Sequence, residues 1–372
     1  MTTRPAERIL DEIVNDKGKG AKLRRKLVAG QEKNWLLALM LNSFAKYDKG
    51  LQLTDLEQSL VAEFRANGFS DAEIKQQGRL SLKIPRQLRA ELFPEKFAKL
   101  DTTQAYSFEN LNLDAPDIVK AVLAAPTVNA IDIHAVHSGA RTLRDFPPVS
   151  GSIRREHASE TLVAVDEEAS LDTHEAARPK VKIKATSFHC KERATDSVFG
   201  PANEPYWIFS TAAGGKSHSH RSQEFKGVDG GESRTFKVGE GILWGFPDPF
   251  DNTQSAEQLP SGDIGMMIQL WEHDEGNMNK VRRDVSAAFA GAAKVLKVSG
   301  APAWSVAVVE AAGEVVKYLI GLMDDDHIAT QTVVFTREVL EKRLAKANGS
   351  FDFRKRFQDG DADYSLTITV TG

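Results

Sequence analysis

The sequence predicts an α+β chain of two parts: an N-terminal α-helical domain and a C-terminal antiparallel β-sandwich with an inserted α-helical hairpin. Three observations predict this. Apolar residues and helix caps recur at helical spacing through the first hundred residues. From Lys180 onward short alternating runs are parted by Gly- and Asp-rich turns. Residues 283–323 break that strand rhythm with two long helical patterns. At 372 residues the chain is longer than one ordinary domain, and the expected division is 1–125 helical, 126–178 linker or extended arm, and 179–372 sandwich.

In the first part, Trp35, Leu36, Leu39 and Met40 fall on one helical stripe. Thr54-Asp55-Leu56-Glu57 and Ser70-Asp71-Ala72-Glu73 both match a capping box, in which the hydroxyl accepts from the N3 amide and Glu accepts from the cap amide. Pro85 and Pro94 limit the helices around them, and Asp117 to Ala124 reads as a further short helix ended by Pro126. Between 126 and 178, prolines and the acidic Asp166-Glu167-Glu168 weaken the periodicity, leaving room for a strand or two.

In the second part, Val181, Ile183 and Ala185 alternate with Lys182 and Lys184, the pattern of a half-buried strand. Further strands are predicted over 206–210, 233–238, 264–271, 330–335 and 364–370, and such a series suggests a sandwich. Within the hairpin, 283–298 is one helix and 303–323 the second, with Ser299-Gly300-Ala301-Pro302 as the turn. Glu310, Glu314 and Lys317 form one narrow charged stripe on an otherwise apolar helix.

Composition excludes more than it assigns. Hydrophobic residues make up 41% and charged residues 27%, values of a globular chain. A net charge of −4 gives no global attraction to nucleic acid. The one cysteine, Cys190, rules out an internal disulfide and a cysteine-built zinc site. It suits a reducing compartment, and equally a cysteine-poor bacterial protein exported folded. Met1 to Leu10 has no apolar signal core, and no uncharged run reaches the roughly 20 residues that span a bilayer. The expected location is the cytoplasm, or outside it by export without a classical signal peptide, with no transmembrane segment.

Residues 180–372 resemble a C2 domain, a membrane- and calcium-binding sandwich. The resemblance rests on an ordered set. Val181 to Ser187 resembles the opening strand, and Glu204-Pro205-Tyr206-Trp207 the Asp-Pro-Tyr-Val motif after the first calcium loop. Ile268 to Asp274 resembles the strand ending in Trp-Asp-x-Asp before the third loop, Asp324 to Ile328 that loop's acidic exit, and Phe357 to Val370 the closing strand. Two departures stand out: the hairpin occupies the third-loop position, and Glu204 and Glu272 replace expected aspartates.

The resemblance implies calcium as cofactor, held by Asp196 and Glu204 of the first loop and Glu272, Asp274, Asp325 and Asp326 of the third. Calcium takes six to eight oxygen ligands, which loop carboxylates supply. It also implies an anionic membrane surface or a protein as partner. The hairpin would then offer Phe289, Trp304, Val308, Val315, Leu319 and Leu322 as its contact surface, with Trp304 suited to a bilayer interface. The competing reading packs the hairpin into the core. An effector- or toxin-like role would rest on the hairpin alone, and the N-terminal helical domain would carry cargo or form a homo-oligomer.

Other features carry less. Lys17 to Lys26 holds six basic residues in ten without an aromatic to stack on bases, so a phosphate or membrane contact outranks nucleic acid, and a solvated helix start outranks both. Asp359-Gly360-Asp361-Ala362-Asp363 has the alternating acids of a calcium loop but suits a tight turn as well. His218 and His220, which with His189 could ligate a transition metal, read rather as a solvated loop, and Cys190 as a small core residue. No Gly-x-Ser-x-Gly elbow, P-loop or dinucleotide fingerprint occurs, so no catalytic residue is assigned. The expectation is a non-enzymatic binding protein. Its alternatives are a structural or assembly protein, or an enzyme with an unrecognised N-terminal site.

Overall fold

In the computed structural model the described residues are 5–125, 128–132, 160–165, 180–193, 203–213, 216–237, 239–247, 254–255, 257–258, 264–273, 278–296, 298, 304–323, 326–335, 337–360 and 362–372. The first part holds α1 (Pro5–Val14), α2 (Gly18–Ala29), α3 (Trp35–Asp48), α4 (Asp55–Ala66), α5 (Asp71–Leu82), α6 (Arg86–Leu92), α7 (Glu95–Ala98) and α8 (Phe108–Ala124). Both predicted capping boxes form, at the starts of α4 and α5. A third, Ser107 with Asn110, starts α8, which runs through Pro116 and absorbs the short helix expected at 117–124. Pro85 and Pro94 stand at the N-caps of α6 and α7.

Helix α3 is the axis of this part, with Trp35 to Lys46 buried without a break. Helix α5 crosses it at Gly78, where a Cβ would lie 2.4 Å from the Phe44 carbonyl oxygen. Only glycine lets the two backbones approach so closely.

The remaining strands are β1 (Val128–Asp132), β2 (Glu160–Val165), β3 (Lys180–Glu192), β4 (Pro205–Ala213), β5 (Lys216–Arg221), β6 (Ser233–Thr235), β7 (Ile242–Trp244), β8 (Phe246–Pro247), β9 (Gln254–Ser255), β10 (Glu257–Gln258), β11 (Ile264–Glu272), β12 (Asp326–Phe335), β13 (Ser350–Asp359) and β14 (Ala362–Thr371). Helices α9 (Met278–Leu296) and α10 (Trp304–Gly321) lie between β11 and β12, and α11 (Arg337–Lys346) between β12 and β13.

One six-stranded sheet has the order β1-β2-β12-β11-β4-β5. The second runs β10-β3-β14-β13, with β6 and β7 also on β3. The sheets are antiparallel except at β1–β2 and β2–β12, which pair in parallel. Thus the stretch expected as a linker with a strand or two supplies two strands to the first sheet. Residues 216–221, expected as a mobile loop, form β5 at that sheet's edge. Alternation along short polar runs such as Lys216–Arg221 is a faint signal, which is why the strand was not predicted.

The first sheet is covered on both faces. Trp207, Phe209, Ile268 and Leu270 point into a core shared with Val181, Phe188, Leu366 and Ile368 of the second sheet, the arrangement of a β-sandwich. Tyr206, Ile208, Met267 and Trp271, the alternate side chains, join a second core with α9, α10 and the N-terminal helices. Strand β11 is accordingly buried from Ile264 through Trp271.

The hairpin therefore folds back onto the sheet as a layer between it and the N-terminal helices. All of Val306 to Ile320 is buried. Gly313 lets α10 sit on the sheet, since a Cβ there would meet the Met267 sulfur at 2.2 Å. The Gln269 side-chain amide donates to the Gly313 carbonyl at 3.2 Å, fixing the helix over β11.

Candidate functional site

The end of the first sheet where β4 begins and β11 stops gathers carboxylates. Glu272 pairs in register with Asp326 on one side and with Pro205 on the other. A register shift between Leu270 and Trp271 marks a bulge just before this end. Bulges re-aim the side chains that follow them. The Glu204 amide donates to Glu272 Oε1 at 2.6 Å, and the His273 amide donates to the Glu204 carbonyl at 3.3 Å. These bonds clamp the two strand ends together.

A further acid joins them. Glu224 Oε2 stands 3.9 Å from His273 Nε2, and the neighbouring Phe225 amide donates to the Pro205 carbonyl at 3.0 Å. Sequence reading missed Glu224 because it lies in an unpatterned stretch; only the fold returns that stretch to β4. Glu204, Glu224 and Glu272 are all half-buried.

The donor set is one of hard oxygens, which suits calcium. Among the described residues, however, no three His, Cys, Asp or Glu side chains stand close enough to hold an ion. Asp196, Asp274, Asp325 and the Asp326 side chain lie outside the described residues. A closed cage needs oxygens from those positions.

The six hairpin residues expected at a contact surface stand elsewhere. Phe289, Trp304, Val308, Val315, Leu319 and Leu322 are each at most 3% exposed. Trp304 stacks on Trp35 of α3 at 5.4 Å, and its indole donates to the Val295 carbonyl at 2.9 Å. The physical reason is that α10 is apolar nearly all round, and such a helix is stable only when enclosed. Among the described residues no helix is long and apolar enough to cross a membrane.

The charged stripe of α10 is enclosed as well. Lys33 reaches Glu310 at 3.1 Å and Glu314 at 3.3 Å, and Lys317 reaches Glu314 at 2.7 Å. Burial alone would lower the Lys33 pKa, but Glu310 and Glu314 outweigh it and hold it above the usual lysine value. Burial leads at Lys317 and lowers its pKa.

Lys26, from the basic run, is buried as well. It bonds Asp359 at 2.7 Å and the His327 carbonyl, and burial brings its pKa down to about 8 against the pull of Asp359. Three ammonium groups and three carboxylates thus balance inside the protein. Part of the basic run is therefore structural: Arg24 also pairs with Glu91 at 2.7 Å.

The other candidates resolve as structure. Asp359 and Ala362 close the turn between β13 and β14, with Gly360 at φ +53°. Asp363 takes two bonds from Arg356 and one from Lys191, which together hold its pKa low. Cys190 is fully buried, and burial raises its thiol pKa. His218 and His220 lie 5.7 Å apart on β5, whereas His189 is on β3 of the other sheet and faces Ser233.

No protein-family model matches the sequence, and no curated protein matches it. Among solved structures, the human group IVD cytosolic phospholipase A2 bound to methyl gamma-linolenyl fluorophosphonate aligns at 8% identity and a TM-score of 0.24, over 52% of this chain and 16% of that one. A second structure of that complex, also holding terbium chloride, gives 8% and 0.23 over 52% and 17%. CC2D1B, described as coordinating ESCRT-III activity during mitotic reformation of the nuclear envelope, aligns at 7% and 0.24 over 85% of this chain and 84% of that one. This chain spans about a sixth of the phospholipase. Likenesses this slight carry no argument about fold or activity, which rest on the geometry above.

Proposed function

We propose that the protein is a non-enzymatic binding protein. The carboxylate-bearing end of its sandwich takes calcium and thereby attaches to an anionic membrane surface. The observation that supports this is the register of Pro205, Glu272 and Asp326, which sets the strand ends Glu272 and Asp326 side by side, with Glu204 just before β4 bonded to Glu272. Carboxylates at one sheet edge are the hard oxygen donors that calcium takes. In this reading the hairpin couples the sandwich to the helical part and inserts into nothing.

The direct test is thermal unfolding with calcium and with chelator. A ligand that binds only the folded state raises the midpoint as its concentration exceeds Kd. Calcium should raise the midpoint, and Glu272→Gln should reduce the rise. Equal midpoints at saturating calcium and in chelator would remove calcium from the account.

A second reading, a structural or assembly protein without a membrane role, is favoured by one observation. The core that encloses α10 runs unbroken from the N-terminal helices to Trp271 of the sheet. A protein whose two parts are so joined suits a rigid scaffold, and it would show no calcium response.

A further inference from the structure

A cavity of about 550 Å³ opens in the N-terminal part between α3, α5, α6 and the segment after α7. Ligand sites fall in this size range, mostly apolar with a few placed polar groups. Here Ala45, Ile84 and Leu100 supply apolar wall.

Asn42 is the telling residue. It lines the cavity from the middle of α3 and is only 6% exposed, and its amide is not one of the sealed, unpartnered polar groups, so it meets the water of the cavity. A ligand's polar group can take the place of that water on the amide. The other hydrophilic side chains of Trp35–Lys46 turn elsewhere: Ser43 bonds the Leu39 carbonyl and Lys46 pairs with Glu57.

The charges at the cavity are unequal in availability. Arg89 is braced by the Ala98 and Leu100 carbonyls at 3.4 and 3.1 Å through Nε and Nη2, leaving Nη1 outside those bonds. Arg86 is exposed, with the Asp101 carboxylate as its electrostatic neighbour. The acids are engaged: Asp101 accepts from the Thr103 amide and hydroxyl at 2.7 and 2.6 Å, and Glu95 pairs with Lys99. Asp101 stays ionised and its charge acts on both Arg86 and Arg89, but the basic lining residues Lys49, Arg86, Arg89 and Lys99 outnumber the acids Glu95 and Asp101.

We propose that this cavity binds a small organic anion, with its carboxylate or phosphate on Arg86 and Arg89, its body against Ile84 and Leu100, and a hydrogen-bonding group on Asn42. Guanidinium suits both anions, since its fork matches their oxygens. The site is separate from the carboxylate end of the sandwich and does not depend on calcium.

The test is titration calorimetry of the full chain with 4-hydroxybenzoate, citrate and pyrophosphate, repeated on Arg86→Ala and Asn42→Leu. At least one probe should bind saturably at one site per chain; the two carboxylates against pyrophosphate tell which anion is preferred. Either substitution should weaken that probe by about tenfold or more. The melting midpoint should hold in Arg86→Ala, whose side chain is exposed, and in Asn42→Leu, which keeps the bulk of the side chain at the cavity wall. No saturable heat from any of the three at millimolar concentration, or binding that both variants leave unchanged, would overturn the proposal.

Discussion

The Lys33 ammonium lies 3.1 Å from Glu310 with both side chains 2% exposed, so an ion pair sealed from water joins the N-terminal helices to the hairpin. Its geometry sets the first prediction. Removing one member of a buried, balanced set leaves an uncompensated charge. Lys33→Met should lower unfolding stability by about 3–5 kcal/mol in urea titration. A loss below about 1 kcal/mol, the range of exposed pairs, would show that water reaches the cluster.

Gly30 ends α2 against the same cluster, where a Cβ would come within 2.8 Å of Glu314 Oε1. Gly30→Ala should therefore destabilise, although alanine usually stabilises a chain by restricting its unfolded state. A higher melting midpoint for the variant would contradict the close approach.

His220 provides a pH signature. Burial first, then His218 and Arg282, brings its pKa down to about 3. Both ring nitrogens are buried without a partner among the described residues. The unfolded chain binds a proton near pH 6.5 and the folded one does not until about 3, so stability is lost as pH falls through that window. Asp284, raised by burial to about 6, works in the opposite sense below that pH. Comparing His220→Phe with the parent isolates the histidine. The variant should lose about 1–3 kcal/mol less between pH 7 and 4. Identical pH profiles would show that His220 is protonated in the fold.

Cys190 is buried and its thiol is held mainly protonated by burial, with Tyr364 at its side. Thiolate is the reactive form. Alkylation of the native protein at pH 8 should be slower by orders of magnitude than in denaturant. Rapid native labelling would mean that the sandwich core opens readily.

Much of this fold was legible in the sequence, and the gaps have physical causes. Capping boxes at Thr54 and Ser70 are local hydrogen-bond patterns, so four residues suffice to recognise them. The strands 180–192, 264–272 and 362–371 carry alternating or continuous apolar side chains. By contrast β5 and β13 are largely polar, with side chains such as Lys216, His218, Arg354 and Arg356, and are held mainly by their neighbours. The burial of the charged stripe of α10 was not legible, because its partner Lys33 lies 277 residues away from Glu310. The six apolar hairpin residues were expected at a membrane or partner contact, and the structure covers them from within the chain. At the candidate site, Glu204 and Glu272 were found through motif order, while Glu224 had no local signal at all.

The most direct test of the functional account is co-sedimentation with anionic vesicles, in calcium and in chelator, for the parent chain and for Glu272→Gln with Asp274→Asn. The account predicts pelleting in calcium, none in chelator, and loss of the calcium-dependent fraction in the double variant. Absence of pelleting in both conditions would contradict membrane attachment and leave the scaffold reading.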